Sequence, residues 1–148
     1  MGEIKIMSIN VRRLRNFWKR RAVYEFLTVC DFDICMVQEA HLRDEGDKLL
    51  FTEEWGGGEA VWSVGSVYGS GVGVLCGRKS IKIIDTFSVL QGRVLVVDIK
   101  KAGLQCRVVN IYAHAEPRAR RELFAGLDIC FMTSKVTFVG GDLNCSLD

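Results

Sequence analysis

A strand, a helix and a second strand follow one another within the first forty residues, and this order constrains the fold more than any other feature of the chain. Residues 4–10 carry apolar side chains at positions 4, 6, 7 and 9 and predict a strand. Asn16 is expected to cap a helix that runs to about Val29. A continuous apolar run over residues 34–37 predicts a second, buried strand. Such a βαβ unit makes its two strands parallel, so the chain is predicted to be an α/β protein.

Two helices are predicted from apolar residues at helical spacing. The first has one apolar stripe of Trp18, Ala22, Phe26 and Val29, with Val23, Leu27 and Cys30 beside it. The second is expected to begin at Pro117, because the missing amide hydrogen of proline costs nothing in the first turn. Its apolar stripe would consist of Leu123, Phe124, Leu127, Cys130 and Phe131. Both stripes are expected to face the core.

The middle of the chain is rich in β-branched residues and predicts a series of short strands. These strands cover residues 60–64, 71–76, 81–89, 93–99 and 105–112. The turns at residues 91–92 and 101–103 are short and contain glycine, which is typical of antiparallel hairpins. The sequence therefore predicts antiparallel strands in addition to the parallel pair.

A final strand is predicted over residues 136–139, where four β-branched or aromatic residues in a row suit a strand that is covered on both faces. Gly140 and Gly141 are expected to turn the backbone sharply and to let it approach a ligand. Asp142 and Asn144 follow at the carboxyl end of this strand, where open α/β sheets place their chemistry. Taken alone, the pattern is more often that of an ordinary turn.

The composition predicts one folded domain without a membrane span. A length of 148 residues suits a single domain, and 49% hydrophobic residues are enough to form a core. No apolar run reaches the ~18 residues that cross a bilayer. None of the six cysteines forms a C-x-x-C pair, so we expect free, mostly buried thiols in a reducing intracellular compartment.

The net charge of +2 conceals two basic clusters. The first cluster lies within ten residues that contain no acid and consists of Arg12, Arg13, Arg15, Lys19, Arg20 and Arg21. The second consists of Arg118, Arg120 and Arg121. Such clusters attract phosphate backbones, although a solvated helix face is an equally good interpretation of the first one alone.

Five polar residues stand at the ends of four predicted strands, namely Asn10, Glu39, Tyr112, Asp142 and Asn144. A carboxylate such as Glu39, directly after an apolar run, is either a solvent-facing strand end or a metal ligand. Together the five suit one task, because Mg²⁺ needs one or two carboxylates and an in-line attack on phosphorus needs a further carboxylate and neutral donors. No serine or cysteine has a general base beside it in sequence, so covalent catalysis is the weaker hypothesis.

Four motifs in order then resemble a known family. They are Ser-Ile-Asn-Val-Arg at residues 8–12, Val-Gln-Glu-Ala-His at 37–41, Asn-Ile-Tyr-Ala at 110–113 and Gly-Asp-Leu-Asn at 141–144. The chain resembles the endonuclease/exonuclease/phosphatase superfamily, most of all the apurinic-like endonuclease domain of LINE-type (non-LTR) retrotransposons. The resemblance implies an α/β fold that is part of a four-layer sandwich, with two facing mixed sheets and helices outside.

The resemblance also implies roles for the residues. Glu39 would bind Mg²⁺, or Mn²⁺ in its place, with Asn10 beside the metal. Tyr112 would contact the scissile phosphate, Asp142 would activate the attacking water, and Asn144 would fix both. Arg12, Arg118 and Arg121 would contact DNA, and Gln38 would support Glu39. The family further implies a reverse transcriptase on the same polyprotein and a nuclear location.

The sequence departs from the family at its end. The family's last motif, Ser-Asp-His, has no counterpart before Asp148, so residues 1–148 are predicted to be one domain that lacks its C-terminal part. Exposed strand edges and self-association are expected as a result, as is impaired nicking of DNA. A catalytically dead remnant that binds nucleic acid, or a phosphoesterase acting on small molecules, is the alternative. No role is assigned to His114.

Overall fold

The computed structural model describes residues 2–65 and 70–145, which form eight strands and three helices with one short 3-10 turn. In chain order the elements of the first half are β1 (Ile6–Asn10), α1 (Phe17–Val29), β2 (Ile34–Gln38), α2 (Glu45–Glu54), β3 (Ala60–Ser63) and β4 (Val72–Cys76). Those of the second half are β5 (Lys82–Leu90), β6 (Val94–Lys101), β7 (Leu104–Tyr112), α3 (Pro117–Ala125), the 3-10 turn (Asp128–Phe131) and β8 (Val136–Asp142).

The strands form two four-stranded mixed sheets, ordered β1-β2-β4-β3 and β5-β6-β7-β8. β1 and β2 are parallel and in register from Ile6 opposite Ile34 to Asn10 opposite Gln38, which confirms the predicted βαβ unit. β5, β6 and β7 form the predicted antiparallel hairpins. β8 then returns parallel to β7. Each sheet therefore contains one pair of parallel strands, and the carboxyl ends of the two strands in that pair lie at the same edge.

Three apolar clusters separate four layers. Between the two sheets, Met36 and Val74 of the first pack with Val97 and Val108 of the second. Leu27 of α1 and Phe51 of α2 cover the outer face of the first sheet, whereas Leu123 of α3 and Cys130 cover that of the second. The arrangement of helices, sheet, sheet and helix confirms the predicted α/β sandwich.

Only one of the two predicted rows of apolar residues on α1 faces the core. Asn16 caps the helix as expected, since its side chain accepts a hydrogen bond from Lys19 N at 3.0 Å. The helix buries Arg20, Tyr24 and Leu27, and Val23 and Cys30 of the second predicted row pack against the same cluster. The predicted stripe that begins at Trp18 stays outside. Trp18, Phe26 and Val29 are 71%, 53% and 82% exposed. The reason is that Arg20 finds partners inside, in the Leu14 carbonyl and in the Glu54 carboxylate.

The predicted stripe of α3 is only partly correct. The helix ends at Ala125 and a separate 3-10 turn begins at Asp128, so the predicted residues do not form one continuous helical stripe. Leu123 and Cys130 are buried, whereas Phe124 and Phe131 are exposed.

β8 also differs from its prediction. It is the last strand of its sheet, and Val136 and Val139 are exposed rather than covered on both faces. Gly140 and Gly141 do not turn the chain but continue the strand. Their close approach is to protein, because a Cβ on Gly141 (φ +123°) would stand 2.0 Å from the Ile111 carbonyl oxygen.

The remaining expectations concern cysteines and membranes. All six cysteines have free thiols, and Cys35, Cys76, Cys106 and Cys130 are buried, as predicted. Among the described helices, none is long and apolar enough to cross a membrane.

Candidate active site

The side-chain amide of Asn10 joins two carboxylates. Its Nδ2 donates to Oε2 of Glu39 at 2.7 Å and to Oδ2 of Asp142 at 3.0 Å. Its Oδ1 accepts a hydrogen bond from Arg12 N at 3.0 Å, which fixes the direction in which the amide points. Asn10 ends β1 and Glu39 directly follows β2, both in the first sheet, whereas Asp142 ends β8 in the second. The structure thus brings together three of the predicted site residues where the carboxyl edges of the two parallel pairs meet.

A strained loop directs Glu39 toward this point. Glu39 and His41 have φ angles of 61° and 60°, values that residues with a Cβ adopt rarely and often at functional sites. The loop is held by backbone hydrogen bonds from Arg13 N to the Glu39 carbonyl, at 2.7 Å, and from Ala40 N to the Gly71 carbonyl, at 3.0 Å. The carboxylate is therefore positioned by its backbone and not only by Asn10.

Tyr112 lies on the second sheet beside Asp142, its partner in the register of β7 and β8. The guanidinium of Arg93 stands 4.9 Å from the centre of the ring. Burial raises the pKa of Tyr112 above its ordinary value of 10, and the charge of Glu39 adds to this effect. The phenol therefore keeps its proton at neutral pH and can donate a hydrogen bond to an anionic group.

The segment after β8 is folded back by Asn144. Its backbone N donates to Oδ1 of Asp142 at 3.1 Å, and its Nδ2 donates to the Ala113 carbonyl at 2.7 Å. Arg120 donates to the Asn144 carbonyl at 2.9 Å. The sequence places Arg120 only in a basic cluster, whereas the structure gives it a supporting role that no local pattern could have predicted, because the contact spans 24 residues.

Gln38 is buried beneath the site, but its hydrogen bonds differ from those expected. Its Nε2 donates to Ser8 Oγ, to the Met36 carbonyl and to Asn110 Oδ1, all at 3.0–3.1 Å, rather than supporting the carboxylate of Glu39. Asn110 is fully buried and donates onward to the carbonyls of Val37 and Gly73. This network anchors the floor of the site. An amide in the middle of the apolar run of β7 is the sequence signal for it.

His41 is a further group that sequence analysis leaves without a role at the site. Its Nε2 lies 3.7 Å from Oε1 of Glu39 and is buried without a hydrogen-bond partner among residues 2–65 and 70–145. Burial lowers the pKa of His41, an effect that outweighs the opposing charge of Glu39. The ring is therefore neutral at pH 7.

The predicted DNA contacts are distributed unevenly. Arg12 adjoins the site through its bond to Asn10. Arg118 and Arg121 lie on the exposed surface of α3, and Arg118 pairs with Glu122 at 3.4 Å. Of these three arginines, Arg12 alone is linked to the carboxylates in the described part of the chain, and the link runs from its backbone N through Asn10.

The oxygen-rich edge suits a hard cation better than a soft one. Across the described part of the chain, no three His, Cys, Asp or Glu side chains cluster as a complete metal site. Mg²⁺ does not need such a cage, because one or two carboxylates, water and substrate oxygens complete its shell. Glu39 offers such a carboxylate, and that of Asp142 lies on the other side of the Asn10 amide.

The carboxylates, the amide and the phenol thus lie at one edge of a two-sheet sandwich, and comparison of the sequence with known families identifies the class of protein. Residues 7–148 match the model of the Endonuclease/Exonuclease/phosphatase family, and the chain belongs to that family.

Individual relatives extend this comparison. The Transposon TX1 uncharacterized 149 kDa protein of Xenopus laevis is 24% identical over 152 residues, which cover 98% of this chain and 11% of that protein. The endonuclease domain of TRAS1, a telomere-specific non-LTR retrotransposon, superposes with a TM-score of 0.66 at 16% identity, over 97% of this chain and 61% of that one. D. rerio TDP2, complexed with single strand DNA product, superposes with a TM-score of 0.69 at 16% identity and the same coverage. The chain thus spans about a tenth of its curated relative.

Proposed function

We propose that this domain is a metal-dependent phosphodiesterase that nicks DNA, of the non-LTR retrotransposon type. The observation that carries the proposal is the amide of Asn10 between the carboxylates of Glu39 and Asp142. Two neighbouring carboxylates repel each other unless a donor or a cation lies between them, so their shared amide indicates a site that is built to hold negative charges close together.

Glu39 would hold Mg²⁺, or Mn²⁺, through its carboxylate, with Asn10 keeping that carboxylate in place. When bound, the cation would withdraw charge from the phosphoryl oxygens and the leaving oxygen. The donor set fits, since every oxygen of Glu39 and Asp142 is a hard ligand.

The chain's own residues perform the remaining tasks. Asp142 orients an attacking water and accepts its proton. Asn144 holds the Asp142 carboxylate through its backbone N–H. Tyr112, as a protonated phenol, donates a hydrogen bond to a phosphate oxygen and so stabilises charge that grows in the transition state. Arg12 stands where an adjacent phosphate of the substrate would pass.

DNA is the favoured substrate because basic residues flank the site and because two relatives are described as transposon proteins and a third is described with DNA. Arg118 and Arg121 would contact the backbone farther away. A reverse transcriptase on the same polyprotein and a nuclear, reducing location belong to the same proposal.

The test is nicking of supercoiled plasmid in Mg²⁺ by the wild type, by Glu39→Ala and by Asp142→Ala. Glu53→Ala, an exposed carboxylate of α2, is the matched control. We expect each site variant to lose at least a hundredfold in rate and the control to keep it. Equal rates in all four proteins would contradict the proposal.

A second candidate function is nucleic-acid binding without cleavage, which the cations around Arg12 favour. It predicts no Mg²⁺-dependent nicking by the wild type together with steeply salt-dependent DNA binding. Cleavage of bis(p-nitrophenyl) phosphate without nicking would instead indicate a small-molecule phosphoesterase.

Self-association is the last part of the proposal. It is supported by the exposed Val136 and Val139 on β8, the last strand of its sheet. Sedimentation velocity tests it, and a single monomeric peak at all concentrations would contradict it.

A further inference from the structure

A cleft beside the candidate active site is lined almost wholly by cations. Its lining residues are Arg12, Arg13, Arg15, Asn16, Lys19 and Arg43. Arg43 is paired with Asp47 at 3.1 Å. In the described part of the chain, the guanidinium groups of Arg12, Arg13 and Arg15 make no ion pair, so their charge is available to a ligand.

The backbone joins this cleft to the active site. Arg13 N donates to the Glu39 carbonyl, and Arg12 N donates to the side chain of Asn10. Arg12 and Arg13 have φ angles of 48° and 84°, so two successive residues with a Cβ occupy the left-handed region. Lys19 Nζ donates to the Arg12 carbonyl and holds the strained turn in place. Such strain persists where a conformation is needed for function.

Two exposed aromatic rings, Phe17 and Trp18, lie at the start of α1, between Asn16 and Lys19, which both line the cleft. Trp18, next to Lys19, is 71% exposed, and Phe17 is 47% exposed. Their ring centres are 5.1 Å apart at an angle of 73°, so the edge of one ring supports the face of the other. An exposed indole on the segment that also lines a cationic cleft is a combination that suits a nucleic-acid base and its phosphate.

We propose that this cleft binds single-stranded DNA adjoining the cut site, with phosphates among Arg12, Arg13 and Arg15 and an unpaired base stacked on Trp18. The cations alone would serve duplex and single strand equally. Trp18 favours the single strand, because the faces of paired bases are stacked on each other inside a duplex and cannot stack on an indole. The position relative to the cut rests on the proposed function, whereas the binding itself does not.

Equilibrium binding in EDTA, where no cleavage occurs, tests the proposal. The probes are fluorescein-labelled (dT)12 and a fluorescein-labelled 12-base-pair duplex, whose fluorescence anisotropy reports binding. The proteins are the wild type, Trp18→Ala, Trp18→Phe and Arg15→Ala. Val29→Ala, 82% exposed on the same helix, is the apolar control. Lys79→Ala, exposed at the opposite end of the sheet, is the charge control.

We expect the wild type to bind (dT)12 more tightly than the duplex. Trp18→Ala should weaken (dT)12 binding about tenfold and leave duplex binding unchanged, since stacking contributes about this much per base. Trp18→Phe should recover part of the loss. Arg15→Ala should weaken both ligands and reduce the salt dependence by about one phosphate contact.

Intrinsic fluorescence gives an independent readout. Trp55 and Trp62 are buried, so quenching of the tryptophan emission by (dT)12 should come from Trp18 and disappear in Trp18→Ala. Equal affinity of wild type and Trp18→Ala for (dT)12, or a preference for duplex, would overturn the proposal. If the wild type binds (dT)12 but does not nick plasmid DNA in Mg²⁺, only the proposed function is overturned.

Discussion

Nδ2 of Asn110 lies 2.8 Å from the carbonyl oxygen of Gly73 and so joins the second sheet to the first through their common interior. The same amide nitrogen donates to the Val37 carbonyl at 3.0 Å, and its oxygen accepts from Gln38. All four of these groups lie in the middle two layers. The polar network under the candidate site is therefore also the connection that fixes one sheet against the other.

Asn110→Ala should lower the free energy of unfolding by about 3 kcal/mol, because it leaves buried partners without a hydrogen bond. Urea unfolding followed by circular dichroism measures the change. Thr86→Ala, at an exposed position of β5, should alter it by less than about 0.5 kcal/mol. Equal stability of Asn110→Ala and wild type would mean that water replaces the network without loss.

Gly141→Ala should destabilise the domain by several kcal/mol, since the new Cβ would meet the Ile111 backbone. Gly103 is a matched control, because it also has a positive φ of 84° but open space where its Cβ would be. Gly103→Ala should cost about 1 kcal/mol from backbone conformation alone. Thermal unfolding of the two variants separates steric overlap from backbone strain, and similar losses would argue against the overlap.

Asp98→Asn should reveal a pH-dependent contribution to stability. Burial tends to raise the pKa of Asp98, but the hydrogen bond and charge of Arg107, 2.8 Å away, outweigh it and hold the pKa below its ordinary value of 3.8. The stabilisation is therefore complete above pH 3.8 and is lost as the pH falls through the lower pKa of the folded state.

Removal of the Asp98 charge should thus cost about 3 kcal/mol at pH 7, and the difference from wild type should shrink in strong acid. Urea unfolding at several pH values measures this. The control, Asp128→Asn, changes an exposed carboxylate and should show no such convergence. Parallel curves for wild type and Asp98→Asn would refute the assignment.

Arg120→Ala should slow nicking about tenfold with little change in substrate affinity, because it releases the Asn144 segment while leaving the carboxylates intact. Arg121→Ala removes the same charge from the neighbouring position of α3 and should affect kcat much less. Steady-state nicking kinetics distinguish the two, since a DNA contact alone would raise KM in both variants.

The sequence predicted the βαβ unit and the hairpins because their signals are local. Asn16 caps its own helix, and the apolar run at residues 34–37 is sufficient for a buried strand. The convergence of Asn10 and Glu39 was predictable too, since parallel strands bring their carboxyl ends to one edge. Asp142 joins them from the other sheet, and only the family resemblance implied that meeting. The chemical roles of these residues stay predictions until nicking is measured.

The errors concern information that no local stretch contains. α1 turns Arg20 inward because Glu54, 34 residues away, accepts its hydrogen bonds, and this displaces Trp18 to the surface. β8 is exposed because it is last in its sheet, which depends on the order of four strands. Gly141 faces the Ile111 backbone for the same reason.

Because the candidate site takes one carboxylate from each sheet, its geometry reports how the two layers are aligned. A slide of one sheet over the other by less than the length of a hydrogen bond would part Asn10 from Asp142 and leave every strand and helix intact. Circular dichroism would not detect such a shift, because helix and strand content would stay the same, whereas the nicking rate would fall. Nicking should therefore be lost in mild denaturant before circular dichroism shows unfolding. Substitutions of residues buried between the sheets should also change the nicking rate, although they do not touch the site.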